Sequence, residues 1–479
     1  MMRGLQVGKR ISRVDEFEQS KVPQQKLKSA SNFLGIMTSE HIAGTEFVIG
    51  PLFVLHGAST IDVFLGLLFG NLLASLSWAL ICAPAATKTR HTVFYQLEKI
   101  SGLGLVSIYN LIIGLSFCIT TALMLMVSAS ALGLIFNVES PGIQDLYPSS
   151  PLWVLLVIGI SFIIIYIAAF GFDRIARFAK IFAPWIPMII IGSAIATLPS
   201  LGVSKLSDFW SVANEKIWTG VPIEGYSKYT FWHILFFAWL CNSTMHLGLS
   251  DMTIFRYAKR SSYGFLSAFA MYTGHLMAWI ASGILCANVI MNGIYNPSAA
   301  EIAYLGAGIT GAICVAIAGG TTAIPSMYRA GMAFHAFLPM FRRWKVTFII
   351  GAVTTIIACF PIFVTKLDQV LGIIALIAAP VGAIVIADLY LFPKLKLKQE
   401  LAQKETLYIN PAVMGAWFSG VACGYMIYYY MHLDFYFFVT LPAWTMTLAT
   451  YLLFSWLQQK KLVFKAKMTI SFRNYEIEE

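Results

Sequence analysis

The chain has 479 residues, of which 58% are hydrophobic and only 12% charged, and its mean hydropathy is +0.73. No water-soluble domain of this size needs so much apolar surface, so the composition is that of a polytopic membrane protein. The net charge of +10 does not point to nucleic acid, because the basic residues are spread as a membrane topology would place them.

Residues 1–32 are polar and basic, and the apolar run behind them is too long for the core of a secretory signal. Twelve apolar runs of spanning length follow, at about 33–57, 61–86, 103–136, 152–170, 178–199, 231–254, 263–291, 302–324, 346–365, 369–392, 411–431 and 434–457. The third exceeds a perpendicular crossing and is expected to tilt or to project past the interface. Stretches 137–151 and 201–230 are rich in Pro, Gly, Ser and aromatics, and are expected to form short interfacial helices or lids. Residues 464–479 read as a loosely ordered tail. The seven cysteines all lie in apolar runs without close spacing, and read as small packing residues.

Of the 33 Lys and Arg, all but Lys205, Lys216, Lys228 and Lys366 lie in the leading segment or after an even-numbered run. Arg329 is read among them, as a loop charge past the eighth run. The positive-inside rule then puts both termini in the cytoplasm, in a cell (inner or plasma) membrane.

Two runs are interrupted by polar residues. The first contains Ser39, Glu40, His41, Gly44, Thr45, Glu46, Gly50 and Pro51. A charge at bilayer depth costs on the order of 3 kcal/mol on insertion scales. Backbone freed from a helix ladder in lipid also needs a partner. Glu46 therefore faces a cavity or pairs with a neighbouring helix. The sixth run is interrupted by Asn242, Ser243, Thr244, His246, Gly248 and Asp251. Two interrupted helices, five apart, form the pattern of an inverted-repeat secondary transporter. The breaks are expected near Gly44–Gly50 and Asn242–Gly248.

Several segments carry a family resemblance. They are Gly57-Ala58-Ser59 with Gly70-Asn71, Gly171-Phe172-Asp173-Arg174, Phe255-Arg256-Tyr257-Ala258-Lys259, and Thr321-Thr322 followed by Tyr328 and Gly331. Pro380-Val381-Gly382 with Asp388, and Asn410 with Ala416-Trp417, complete the set. In order and spacing, over about residues 33–430, they resemble the nucleobase–cation symporter-1 family (cytosine, purine, hydantoin and allantoin permeases). The resemblance implies an all-α LeuT-like fold of about twelve membrane helices, with broken first and sixth helices. It implies two inverted five-helix repeats, 33–199 and 231–392, separated by an external loop at 200–230. Two further helices would occupy 393–457, between cytoplasmic tails at 1–32 and 458–479.

The resemblance also implies a sodium site between carbonyls of the broken first helix and hydroxyls of the eighth. By register these are the carbonyls of Glu40, Ala43 and Ala318 and the hydroxyls of Thr321 and Thr322. The alternative for the two threonines is a bond back to their own helix. The solute site departs from the family. The stacking Trp of the third helix is absent, leaving Phe117, with Thr121 one turn on. The Asn of the eighth helix that reads a ring's amide edge is Ala323, with Ser326 nearby. The remaining candidates are Gly44 and Glu46 on the first helix, and Trp239, Ser243, Thr244 and His246 on the sixth. His246 is equally a packed core histidine, and Asp251 a helix cap. Asp388 reads as a packing or gating contact.

No hydrolase, nucleotide-binding or metal-protease motif is present, so no enzymatic activity is expected. The expectation is a monomeric, sodium-coupled symporter of a small nitrogen-containing solute such as a nucleobase-like heterocycle, with no organic cofactor. The alternative is a proton-coupled carrier of a cationic amine or basic heterocycle, in which Glu46 or His246 takes the proton. A channel fits less well, because no filter-like motif stands out.

Overall fold

The computed structural model describes residues 17, 19–42, 44–141, 147–294, 298–338, 340–360 and 367–475, with side chains omitted at 367, 368 and 462–475. Every regular element among them is helical. Eight helices are long and apolar enough to cross a membrane: Thr60–Thr89, Leu103–Phe136, Pro151–Ala169, Phe172–Leu201, Ser261–Met291, Ala299–His335, Gln369–Leu391 and Tyr436–Lys461. The chain is a multi-pass membrane protein. One helix shows the one-sided exposure expected where a helix meets lipid. In Pro151–Ala169, Leu152, Leu155 and Phe162 are more than half exposed, while Trp153, Val157 and Ile164 are buried.

Four of the twelve runs are not among the eight. The ninth is the shorter helix Arg343–Ala358, and the eleventh, Pro411–Tyr430, is rich in tyrosine and glycine. The first and sixth are divided. The first run forms Ala30–His41 and Glu46–Leu55. The first piece ends at His41 and the second begins at Glu46, so Gly50 and Pro51 lie inside the second piece rather than between the two. Gly44 marks it because no side chain fits there: an added Cβ would sit 2.8 Å from Val127 Cγ1 and 3.2 Å from the Gly319 amide nitrogen. The sixth run forms Phe231–Leu240, Ser243–His246 and Met252–Phe255. Its irregular stretch continues past Gly248 to Asp251, through Leu249 in the left-handed region at φ 65°.

Each break is met by a glycine of a neighbouring helix. Gly274 in Ser261–Met291 lies against the His41 carbonyl, and Gly382 in Gln369–Leu391 against the Leu247 carbonyl. An added Cβ at either position would overlap that oxygen.

The third and eighth helices, Leu103–Phe136 and Ala299–His335, are long partners packed along their length. The Ser128 hydroxyl donates to the Ala316 carbonyl at 2.9 Å. The eighth begins at a capping box, in which the Ser298 hydroxyl accepts from the Glu301 N–H and Glu301 reaches back to the Ser298 N–H. It kinks at Ala307–Gly308 and then runs unbroken to His335. The sequence reading ended this helix near residue 324. The extra three turns correct the placement of Arg329, which lies inside the protein at 0% exposure and not in a loop.

Outside the bundle, Leu206–Asp208, Phe209–Val212 and Ala213–Ile217 form the short helical turns expected of 201–230. The buried Trp218 ring packs over Gly283. Of the other outer stretch, 142–146 lies outside the described residues. The leading segment is tied down where it is described. Val22 N–H donates to the Arg90 carbonyl at 3.1 Å and Lys28 N–H to the Tyr257 carbonyl at 2.8 Å.

Candidate functional site

A cavity of about 80 Å³ lies between the two breaks. That is room for several waters or a small solute. Glu40, Thr45 and Glu46 of the first run face it, with Asn242 and Thr244 of the sixth. Ser116, Phe117 and Thr120 come from the third helix, His275 from the seventh, and Thr322 and Ser326 from the eighth. Ile49, Ile113, Leu123, Met124, Leu371 and Ile374 supply apolar wall. Glu46 is the first residue of Glu46–Leu55, where the helix N-terminus favours a carboxylate.

Four of the solute candidates read from the sequence meet at this cavity: Glu46, Phe117, Thr244 and Ser326. The others do not line it. Gly44 is pressed between Val127 and Gly319. Thr121 donates to the Phe117 carbonyl of its own helix at 2.7 Å, and Thr120, about 100° around the helix, faces the cavity instead. The Trp239 indole N–H donates to Ser77 Oγ at 3.1 Å, which turns the ring toward the second helix. Ser243 is fully buried beside Thr244. The His246 ring packs on Trp78 at 4.6 Å, and its Nε2 donates to the Trp239 carbonyl at 2.9 Å, so it is a core histidine. Asn242, His275, Ser116 and Thr120 were not foreseen. Asn242 sits one residue before the candidates read from the sixth run, and it carries both a donor and an acceptor.

The oxygens named for sodium divide. Thr322 Oγ1 reaches across to the Glu40 carbonyl at 3.3 Å, joining the eighth helix to the last turn of Ala30–His41. Thr321 Oγ1 bonds back to the Ala318 carbonyl at 2.9 Å. Ala43 lies outside the described residues. Two helices therefore bring hard oxygens together beside the cavity, which is the donor chemistry a small alkali cation needs.

Glu40 also belongs to a buried ion cluster. Arg329 holds both carboxylate oxygens of Glu40, one of them at 3.0 Å through Nη2. Its Nε donates to Asp251 Oδ1 at 3.0 Å, and its Nη2 shares that oxygen. Asp251 Oδ2 accepts the Trp78 indole N–H at 2.7 Å. Asp251 is thus no side-chain cap of Met252–Phe255, whose N-cap makes no such bond. It spends its acceptors on Arg329 and Trp78. Phe117 lies between cluster and cavity, 5.6 Å from the guanidinium carbon. The cluster links the first, sixth and eighth helices and holds two negative charges against one positive. Asp388, also buried, accepts the Glu400 backbone N–H at 3.1 Å, a packing contact to the following loop.

No family model matches the sequence, and no curated protein matches it. Solved structures do match in fold. A nucleobase-cation-symport-1 family transporter, Mhp1, in a closed conformation with bromovinylhydantoin bound, aligns at TM-score 0.73 and 14% identity. That alignment covers 94% of this chain and 97% of that one. A sodium-coupled sialic acid symporter in a substrate-bound outward-open state aligns at TM-score 0.63 and 11% identity, covering 91% and 93%. MhsT in complex with L-phenylalanine aligns at TM-score 0.53 and 15% identity, covering 89% and 98%. The fold of this chain is that of the LeuT-like transporters.

Proposed function

We propose that the protein is a sodium-coupled symporter of a small solute bearing a protonated or electropositive nitrogen. One observation carries the substrate reading. Two acidic residues, Glu40 and Glu46, line the cavity between the two breaks, and no Lys or Arg among the described residues does. Glu46 stands at the N-terminus of its helix on the cavity wall, and in this reading it answers a charge on the solute. In this reading the Phe117 face packs against the ring or cation. Asn242, Thr244 and Ser326 exchange hydrogen bonds with its polar edge.

Sodium, the second cargo, would be held by Thr322 Oγ1 and the Glu40 carbonyl, with Thr321 and the Ala318 carbonyl completing the oxygens on the eighth helix. The support is the approach of Thr322 to a carbonyl freed by the break. Because Glu40 offers its carbonyl to this position and also lines the cavity, one residue feels both cargoes. Alternating access would follow from rocking of the helices around this fixed site.

Two outcomes test the reading. Glu46→Gln keeps shape and removes charge. Loss of a charge-assisted bond, roughly 1.5–3 kcal/mol, predicts an apparent KM raised about 10- to 100-fold in whole-cell uptake of a cationic heterocycle. Acid pH should not rescue it. If Glu46 instead carries a coupling proton, pH-driven accumulation disappears while solute exchange survives. Unchanged uptake and coupling would return the solute to a neutral nucleobase-like compound. For the ion, replacing Thr321 and Thr322 together by Ala should abolish sodium stimulation of uptake. Of the single variants, Thr322→Ala should have the larger effect, because only that hydroxyl reaches the first helix. Full sodium dependence in the double variant would refute the site.

A further inference from the structure

Buried charges are usually matched, because each unpaired one carries a heavy desolvation cost. The Glu40–Arg329–Asp251 cluster is not matched. Glu40, Asp251 and Arg329 are 5%, 0% and 0% exposed, and two carboxylates share a single guanidinium. Hydrogen bonds satisfy the cluster; its charge does not balance. Removing Asp251 would leave a neutral Arg329–Glu40 pair, so the surplus charge is the second carboxylate's. It does not line the cavity and has no capping role.

The surplus is joined through Glu40 to the oxygens proposed for sodium. Glu40 belongs to both groups, since its carboxylate binds Arg329 while its carbonyl accepts from Thr322. Arg329 follows Thr322 by two turns on the same helix. One turn above it, Ser326 Oγ also faces the cavity, is fully buried and has no hydrogen-bond partner among the described residues. In a site of low effective dielectric, a nearby unit charge acts over several ångströms.

We propose that Asp251 is the positioning residue for the coupling cation: through Arg329 it supplies the uncompensated negative charge that sets sodium affinity at the Thr322–Glu40 oxygens, without touching the ion. When sodium binds, the assembly of ion and cluster becomes neutral. The ion is then held by the field of the cluster as well as by its own ligands. This rests on the sodium reading above and adds to it the residue that tunes the site.

The test needs no solute. Purified full-length protein in detergent is unfolded thermally over a series of sodium chloride concentrations, with choline chloride holding the ionic strength constant. The half-saturating sodium concentration for stabilisation is read. Asp251→Asn should raise it on the order of tenfold, the effect of one unit charge removed nearby. Trp78→Phe is the control, because it deletes the hydrogen bond to the same carboxylate but leaves the charge. Its half-saturating concentration should stay within about twofold of the unsubstituted protein. An unchanged sodium response in Asp251→Asn, or an equal weakening in Trp78→Phe, overturns the proposal and leaves the sodium site standing. No sodium response in the unsubstituted protein overturns both.

Discussion

Arg329→Met is expected to produce the largest loss of stability of any single substitution in this chain. It leaves the Glu40 and Asp251 carboxylates, both buried, without the cation they share. Breaking a buried ion pair by removing one partner costs roughly 3–5 kcal/mol. The cost is high because the surviving charge is neither hydrated nor paired. Thermal unfolding of the purified variant, or its yield as a monodisperse species in detergent, measures the effect. The triple variant Arg329→Met, Glu40→Gln and Asp251→Asn removes every charge. It should recover much of the lost stability, although not transport, since Glu40 also lines the cavity. A single variant as stable as the parent would show that the cluster is not the linchpin between the first, sixth and eighth helices.

Gly274→Ala and Gly382→Ala should rank next. Each glycine admits a neighbouring backbone at the point where a helix is interrupted, Gly274 at the His41 carbonyl and Gly382 at the Leu247 carbonyl. A methyl group must push that carbonyl away, and the obstacle is main chain rather than a flexible side chain. Overpacking of this kind typically costs 1–3 kcal/mol. Here it also displaces the two irregular segments that frame the cavity. Uptake should fall in both variants by more than the loss of folded protein explains. Gly159→Ala, at a position where an added Cβ meets nothing within 4 Å, is the control and should be silent. Equal behaviour of all three would mean that the close approaches do not constrain the site.

The eighth helix shows what the sequence reading missed and why. The resemblance placed Thr321 and Thr322 together by their neighbours; the structure sets Thr322 against the Glu40 carbonyl, while Thr321 bonds back to Ala318. The end of the helix was not legible. An arginine past a run that stops just before Pro325 looks like a loop charge under the positive-inside rule. The stretch from Ala323 to Phe337 is nonetheless apolar apart from Ser326, Arg329 and His335. That composition was the available signal that the helix continues. Asp251 and Glu40 were each singled out as polar residues in broken helices, but nothing in their spacing announces a common partner. They lie 211 positions apart.

Sequence alone determined the membrane class, the apolar runs, and the two segments that could not remain regular helices. These follow from composition and from polar residues spaced within single runs, and such local facts survive folding. Of the solute candidates it also marked Glu46, Phe117, Thr244 and Ser326, which do face the cavity. Tertiary structure alone decided which face of each helix turned inward, and so replaced Thr121 by Thr120 and brought in Asn242 and His275. It alone turned Trp239 toward Ser77 and paired Arg329 with both Glu40 and Asp251. The reason is that every face of these helices is apolar enough to be buried or to meet lipid, so amphipathic patterning cannot orient them. Their rotation is set by close backbone approach at glycines and by the pairing of buried charges, and both depend on residues far apart in the chain.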